Sequence, residues 1–269
     1  MNSRRLTNDT TTLARVGRYL VRVPFLIWHV VVNLPITLIL MLPGIGAIDI
    51  GGERLELKVA RWWSAGLLRV FGLQTMRFGE PLDGGTLFVA NHVSWLDIVT
   101  LHSQRMMGMV AKREIASWPL VGHMAKRAQT IFHERGSTES LGGVTSEMLR
   151  RLRDGHDVGV FPEGGTRDGY ELGPFHARIF LAAVESQRPV QPVALSYGHH
   201  GDAQPRIAFR KRESFVANFL RLLGEPGTVA EVHFLEPIFM HEGQSRREIA
   251  ATARNRIADV LTANQVPIG

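Results

Sequence analysis

The sequence predicts an α/β fold, with a mostly parallel central sheet flanked by helices and an N-terminal two-helix membrane-associating segment before it. The 269 residues are 45% apolar, which is enough for a sizeable core. After residue 73, short apolar runs alternate with helical segments, a pattern typical of a largely parallel sheet covered on both faces. An uncharged stretch at residues 23–43 lies just after an arginine cluster and predicts the membrane segment.

The first 22 residues carry most of the net positive charge of the chain. They hold five arginines against one aspartate, whereas the net charge of the whole chain is +6. A nucleic-acid-binding protein would need basic residues clustered on a folded face. We therefore expect a membrane surface and no nucleic acid as the partner, and arginines before an apolar segment predict a cytoplasmic N-terminus.

Residues 23–43 include no charged residue and are about as long as the ~20 residues needed to cross a bilayer. The run is long for a secretory signal and no small-x-small cleavage site follows it, so we expect it to be retained. Pro24, Pro35 and Pro43 argue against a simple span, because each removes a backbone donor and Pro35 lies in the middle of the segment. We expect a bent or re-entrant segment.

The next stretch, residues 58–73, places Trp62 and Trp63 among apolar residues at helical spacing, with basic residues between them. This pattern favours an interfacial helix. The alternative is an ordinary amphipathic helix that covers a soluble core. We prefer two helices embedded in one leaflet, and accordingly predict a membrane-anchoring helical segment at residues 1–73 and an α/β domain at residues 74–269.

The remaining elements follow from the alternating pattern. The sequence predicts strands at residues 74–78, 86–90, 107–111, 130–132, 158–161, 190–197, 205–209 and 229–234. It predicts helices near residues 94–105, 116–127, 138–153, 175–187 and 245–263. In such sheets the chemistry collects at the carboxyl ends of the strands, where two motifs lie.

The first motif is NHVSWLD, directly after the predicted strand at residues 86–90. A helix that starts near Ser94 would bring Asp97 within reach of the His92 imidazole, forming a histidine–carboxylate dyad that can act as a general base. The alternative is that Ser94 and Asp97 form a capping box and that His92 is a loop residue bonded to backbone. The spacing alone favours neither.

The second motif is FPEGGTRDG, directly after the predicted strand at residues 158–161. Its glycines allow a ligand close to the backbone, and Arg167 can pair with an anion. Arg135 follows the strand at residues 130–132 and would complete a phosphate pocket if it converged with Arg167. The alternatives are a plain turn and two solvated surface arginines.

Several classes of chemistry are disfavoured or excluded. The chain has no cysteine, which excludes disulfides, thiolate metal sites and a cysteine nucleophile. It has no G-x-S-x-G nucleophile elbow, so a serine hydrolase is disfavoured. None of the histidines has metal-ligand spacing, and we expect no metal site. The predicted base must therefore activate a group on the substrate, such as an alcohol that attacks an activated acyl group.

Together these motifs resemble the lysophosphatidic acid acyltransferases, also called glycerophospholipid acyltransferases. The resemblance covers residues 86–197 and consists of four motifs in the family order: His-x4-Asp at His92 and Asp97, an arginine after a strand at Arg135, FPEG at Phe161–Gly164, and a proline-containing strand at residues 190–193. Any one of these motifs alone would be a weak signal.

The resemblance implies transfer of a fatty acyl chain from an acyl-CoA or acyl-carrier-protein thioester to a lysolipid hydroxyl, with no other cofactor. It implies His92 as the general base, Asp97 as its orienting residue, and a head-group site made by Arg135, Glu163, Gly164, Thr166 and Arg167. The expected reaction acylates the sn-2 hydroxyl of 1-acylglycerol-3-phosphate to form phosphatidic acid, at the cytoplasmic face of a bacterial inner membrane.

This sequence departs from the family pattern at three positions. Gly165 is an extra residue that moves Thr166 and Arg167 one place on, and His176 and Arg178 stand where the family has lysine and glycine. Related bacterial branches acylate lyso-ornithine lipid or other lysolipids, so a different acceptor is the alternative. A non-catalytic lipid-binding membrane protein is a further alternative.

Overall fold

The computed structural model describes residues 3–117, 121–134, 138–241 and 243–265. The helices are α1 Ser3–Trp28, α2 Leu34–Leu40, α3 Leu55–Val70, α4 Leu96–Gln104, α5 Val121–Arg127, α6 Thr138–Arg153, α7 Leu181–Ser186, α8 Gln204–Ile207, α9 Phe215–Leu223 and α10 Arg246–Gln265. A π-helical turn, His29–Asn33, lies between α1 and α2, and short 3₁₀ turns lie at Arg113–Ser117, Ala177–Phe180 and His199–Gly201.

The strands are β1 Leu73–Phe78, β2 Leu87–Ala90, β3 Gly108–Lys112, β4 Ile131–His133, β5 Val158–Val160, β6 Val190–Tyr197 and β7 Thr228–Phe234. Within the described residues these strands form one sheet in the order β1-β7-β6-β2-β5-β3-β4. The pairs from β6 to β4 are parallel, as is β1 with β7, whereas β7 runs antiparallel to β6. The mostly parallel sheet predicted from the sequence is therefore confirmed.

The central strands β2, β5 and β6 are buried on both faces, as the strands of parallel sheets usually are. Successive residues of β2 point to opposite faces, so Leu87 and Val89 pack in one core cluster with α6, α7 and α10, while Phe88 and Ala90 pack in another with Leu101 of α4. On the second face, α3, α8 and α9 join a further cluster. This arrangement covers the sheet with helices and leaves the strand ends for the site.

The N-terminal helical run is continuous from α1 through the π-helical turn into α2. Pro35 has no backbone N–H to donate, and it lies directly after the π-helical turn, where the spacing of the backbone hydrogen bonds already changes, so the helical run continues through this proline. The His29 ring stacks on Trp63 of α3 with 4.9 Å between ring centroids. Gly66 permits this approach, since a Cβ atom there would lie 2.6 Å from the imidazole.

Both ends of the apolar run contact the rest of the chain. The Arg18 Nε donates to the Gly224 carbonyl (2.7 Å), and Arg22 donates to the Leu223 carbonyl (3.0 Å), at the C-terminal end of α9. At the other end, Arg127 of α5 donates to the Met41 carbonyl (3.4 Å). The basic side chains Arg18 and Arg22 therefore satisfy the last carbonyls of a helix, as C-terminal cations commonly do, in addition to any role at a membrane.

Two elements differ from the sequence-based expectation. The predicted strand at residues 205–209 is wrong, because Pro205 begins the short helix α8 and both edges of β6 are already occupied by β2 and β7. Helix α9 was not predicted, although residues 215–223 form about two and a half turns. The Ser214 hydroxyl caps the start of this helix by accepting from the Ala217 N–H (3.2 Å).

Candidate active site

The site lies at the carboxyl ends of β2 and β5, which are parallel neighbours in the sheet. Immediately after β2, the Asn91 side chain donates to the Leu195 carbonyl (2.9 Å) and accepts from the Leu195 N–H (2.8 Å). The Asn91 amide thereby continues the ladder between β2 and β6 for one more residue. This pairing fixes the point from which the loop carrying His92 departs.

The structure brings the predicted dyad together. The His92 Nδ1 lies 2.7 Å from Asp97 Oδ2, and the Asp97 side chain is fully buried. The same Oδ2 accepts the N–H groups of Val93 (2.7 Å) and Ser94 (2.9 Å), while Oδ1 accepts the Tyr197 hydroxyl (2.6 Å). Four donors therefore fix the carboxylate in one orientation, and it in turn fixes the imidazole.

The two interpretations of NHVSWLD are compatible. Asp97 accepts the Ser94 N–H and donates its own N–H to the Ser94 carbonyl (3.1 Å), so it closes the first turn of α4 as a capping residue would. The His92 ring, however, is bonded to Asp97 and not to backbone. Because a carboxylate only accepts, the Nδ1 carries the proton and the Nε2 presents a lone pair, the arrangement of a general base.

The surroundings of His92 limit its motion but keep it accessible. The ring stacks on Phe161, the first residue of FPEG, with 3.9 Å between centroids and 10° between planes. The side chain remains 15% exposed. The Tyr197 hydroxyl contacts the dyad through Asp97. Burial of Tyr197, together with the Asp97 carboxylate, raises the pKa of Tyr197 well above the usual value. The Tyr197 hydroxyl thus stays protonated and donates to Asp97.

Glu163 joins the two motifs. Its Oε1 accepts the His92 N–H (2.8 Å) and its Oε2 accepts the Gly173 N–H (2.8 Å). Burial raises the pKa of Glu163, although the two N–H donors oppose the rise. Arg167 adds a charge contact, with its Nε 3.3 Å from Oε2, and its backbone N–H donates to the His92 carbonyl (2.8 Å). Glu163 and Arg167 therefore brace the loop that carries His92.

Two other predicted head-group residues, Gly164 and Thr166, lie on the same loop as Glu163 and Arg167. Gly164 has a φ of +72°, which favours glycine, and the His176 ring lies over it. Thr166 is exposed on the same loop. Arg135 lies outside the described residues, so its convergence with Arg167 stays a prediction.

Sequence reasoning missed two residues of this site. Tyr197 is the last residue of the proline-containing strand β6, a hundred positions from Asp97, and no spacing links the two. Arg254 of α10 donates to the carbonyls of Gly173 (2.9 Å) and Leu172 (2.8 Å), which supports the far end of the FPEGG loop. Only the fold brings these partners together.

Comparison with known proteins shows the family to which the chain belongs. A protein-family model described as Acyltransferase matches residues 70–196. A lyso-ornithine lipid O-acyltransferase of Pseudomonas aeruginosa is 35% identical over 214 residues, which is 79% of this chain and 82% of the relative. The corresponding enzyme of Brucella abortus is 33% identical over 78% of this chain and 86% of its own length.

Two further relatives carry another name. A 1-acyl-sn-glycerol-3-phosphate acyltransferase of Neisseria gonorrhoeae is 37% identical over 126 residues, which is 47% of this chain and 49% of that protein. The crystal structure of the 1-acyl-sn-glycerophosphate acyltransferase of Thermotoga maritima superposes with a TM-score of 0.73 over 97% of this chain and 99% of its own, at 17% identity, and so shares the fold. The chain belongs to the acyltransferase family that contains the lyso-ornithine lipid and 1-acylglycerol-3-phosphate acyltransferases, and it is an acyltransferase enzyme.

Proposed function

We propose that this chain transfers a fatty acyl group from a thioester to a lysolipid hydroxyl, with His92 as the general base and Asp97 as its orienting residue. One observation carries the proposal. The His92 Nδ1 is held by a buried carboxylate, while the Nε2 makes no hydrogen bond to any described residue and lies on a partly exposed ring.

In the proposed reaction the Nε2 accepts a proton and later returns it, while the Nδ1 stays bonded to Asp97. The Nε2 takes the proton of the acceptor hydroxyl as its oxygen attacks the thioester carbonyl carbon. A C–O bond forms, the C–S bond breaks, and the imidazolium returns the proton to the leaving thiolate. Asp97 stabilises the transient imidazolium, and acyl-CoA or acyl-carrier protein is the co-substrate.

For the acceptor, we propose a lyso-ornithine lipid. The two relatives with that name match about four fifths of this chain. The pairing of Arg167 with the buried Glu163 also places both signs of charge beside His92, which suits an amino-acid head group better than a purely anionic one. The second candidate is 1-acylglycerol-3-phosphate at its sn-2 hydroxyl, which the shorter Neisseria match favours; Arg135 and Arg167 would then bind its phosphate.

We also propose attachment to the cytoplasmic leaflet of a bacterial inner membrane. One helical stretch, Thr12–Leu40, is long and apolar enough to cross a bilayer, and only 17% of its most apolar window is buried in the protein. The names of the relatives place the acceptor among lipids, and a lysolipid lies in a leaflet beside the anchor.

Replacement of His92 tests the mechanism. His92→Ala should lower kcat by about a thousandfold, within the range of general base catalysis, when thiol release is followed with lyso-ornithine lipid and an acyl thioester. The matched control is His156→Ala, since this exposed histidine lies at the opposite end of β5. Near-normal turnover in a folded His92→Ala protein would contradict the dyad.

A panel of acceptors tests the head group. Lyso-ornithine lipid should give a higher kcat/KM than 1-acylglycerol-3-phosphate or a neutral lysolipid, and Arg167→Gln should reduce that preference. A preference for the phosphate acceptor would favour the second candidate and leave the dyad untouched. Use of acyl-CoA and acyl-carrier protein in parallel assays identifies the donor.

A further inference from the structure

Helix α9 buries Leu222 and Leu223 in the core, as a surface helix does, but it also buries polar side chains and exposes apolar ones. A surface helix of a soluble protein turns apolar residues inward and charged residues outward. In α9, Asn218 and Arg221 are buried, whereas Val216 and Leu220 are 63% and 52% exposed. Ala217 is also exposed and lies on the same side of the helix.

The polar side chains on the inward side of α9 form their hydrogen bonds and ion pair within the protein. Arg221 pairs with Glu213 (2.7 Å), and this contact lowers the pKa of Glu213 to about 2. The Asn218 side chain accepts from the Trp95 Nε1 (3.0 Å), and the Phe219 ring stacks on the Trp95 indole. Because Trp95 lies three residues after His92, α9 packs directly on the catalytic motif.

The outward side of α9 adjoins the exposed apolar side of α1. The Tyr19 hydroxyl of α1 donates to the Leu220 carbonyl (2.7 Å), next to Leu20, which is 73% exposed. The outward residues of the two helices therefore form one apolar surface. A patch of this kind exposed to water is unfavourable and marks an interaction site.

Three cations lie at the N-terminal edge of this surface. Arg210, Lys211 and Arg212 immediately precede α9 and are exposed. In the part of the chain that the structure describes, their side chains form no ion pair with an acidic group. A basic cluster beside an apolar helix face complements an anionic lipid surface, because head groups meet the cations and acyl chains meet the apolar side chains.

We infer that α9 is a second membrane-contact element, whose outward face and preceding basic cluster bind an anionic phospholipid leaflet beside α1. The inference rests on the proposed membrane attachment and adds a surface outside the N-terminal segment. It places Trp95, and with it His92, close to the leaflet that holds the lysolipid. The occupant is a bilayer and not a second copy of the chain, because the cations would repel an identical surface.

The natural absence of cysteine makes the test direct. We would prepare Val216→Cys, Leu220→Cys, Leu20→Cys and Asp154→Cys, label each with an environment-sensitive fluorophore, and add vesicles of phosphatidylcholine with phosphatidylglycerol. Labels at positions 216, 220 and 20 should shift to the blue and be quenched by brominated lipids. The label at position 154, an exposed site on α6–β5, should do neither.

The outcomes separate the two hypotheses. A response at position 20 without one at 216 and 220 would overturn the role of α9 and leave the attachment intact, while no response at any site would overturn both. A blue shift at 216 that depends on protein concentration without vesicles would assign the face to a second copy and overturn the inference.

Neutralising the basic cluster before α9 provides a second test of the inference. The substitutions R210Q, K211Q and R212Q in the Val216→Cys background should lower quenching at 216 several-fold, since each cation near an anionic surface contributes to binding. The same substitutions should leave quenching at position 20 unchanged in the Leu20→Cys background. Unchanged quenching at 216 would contradict the role of the basic cluster.

Discussion

Tyr197 is a positioning residue for the Asp97 carboxylate, and its contact with Asp97 depends on the folded geometry of the site. It donates to Asp97 Oδ1 over 2.6 Å in a site where both side chains are fully buried. Tyr197→Phe removes the donor and keeps the ring, so Asp97 loses one of the contacts that orient it. We expect kcat to fall by about tenfold to a hundredfold, the value of one hydrogen bond to a charged group, with KM nearly unchanged.

Steady-state kinetics of the purified Tyr197→Phe protein checks this prediction. The thermal midpoint of the variant should be measured beside it, because lost stability alone would lower the active fraction. A folded variant with wild-type kcat would show that the other three donors suffice. A rise in KM with unchanged kcat would assign Tyr197 to binding instead of positioning.

At the scale of residues, the sequence predicts contacts between residues that are close in the chain but not between distant ones. His92 and Asp97 are five positions apart on a turn into a helix, so their contact follows from local geometry. Glu163 was expected at the head group because of the family resemblance, yet both of its oxygens accept backbone N–H groups. That use depends on how two loops meet, which no spacing within one loop determines.

At the scale of elements, the junction between α4 and β3 contains a buried histidine that is not part of the site. The His102 Nε2 contacts the Met107 carbonyl (3.0 Å), and burial lowers the pKa of His102 to about 4. The unfolded chain binds a proton at this residue below about pH 6.5, whereas the folded protein does so only near pH 4. The contribution of neutral His102 to the free energy of unfolding is therefore fully present above about pH 6.5 and is lost as the pH decreases toward about 4.

We expect His102 to reduce the free energy of unfolding by about 2 kcal/mol between about pH 7.5 and about pH 5. His102→Gln should remove this part of the pH dependence, because an amide can donate to the Met107 carbonyl without titrating. Urea unfolding of both proteins in detergent at the two pH values measures the difference. Equal pH dependence in wild type and variant would contradict the prediction, and His156→Ala is the control for an exposed histidine.

Most elements were predictable because strands and helices alternate with clear turns. Helix α9 was missed for a physical reason: its polar residues Asn218 and Arg221 face inward and its outward residues are apolar, so its pattern differs from that of an ordinary surface helix. The segment at residues 205–209 ends in a short apolar run like that of a strand, but it begins in helix α8, and both edges of β6, the strand before it, are occupied. In both cases the structure depends on contacts with distant parts of the chain, which the local sequence pattern does not show.

At the scale of the whole molecule, the apolar run is attached to one body at both of its ends. Arg18 and Arg22 bond the end of α9, and Arg127 bonds the Met41 carbonyl. Between residues 22 and 41 a helix extends for about 30 Å, the thickness of the bilayer hydrocarbon core. A helix crossing the bilayer would carry one end away from the body that holds the other, so these contacts favour a helix that lies along a single leaflet.

This geometry predicts that the N-terminus and the α/β domain lie on the same side of the membrane. Single cysteines introduced as Asn8→Cys and Asp154→Cys should both react with an impermeant maleimide in inverted inner-membrane vesicles, and both should be protected in intact spheroplasts. Permeabilised spheroplasts serve as the control for reactivity. Labelling of the two positions from opposite sides would show that the run at residues 23–43 spans the bilayer, and the contacts at Arg18, Arg22 and Arg127 would then have to break in the membrane.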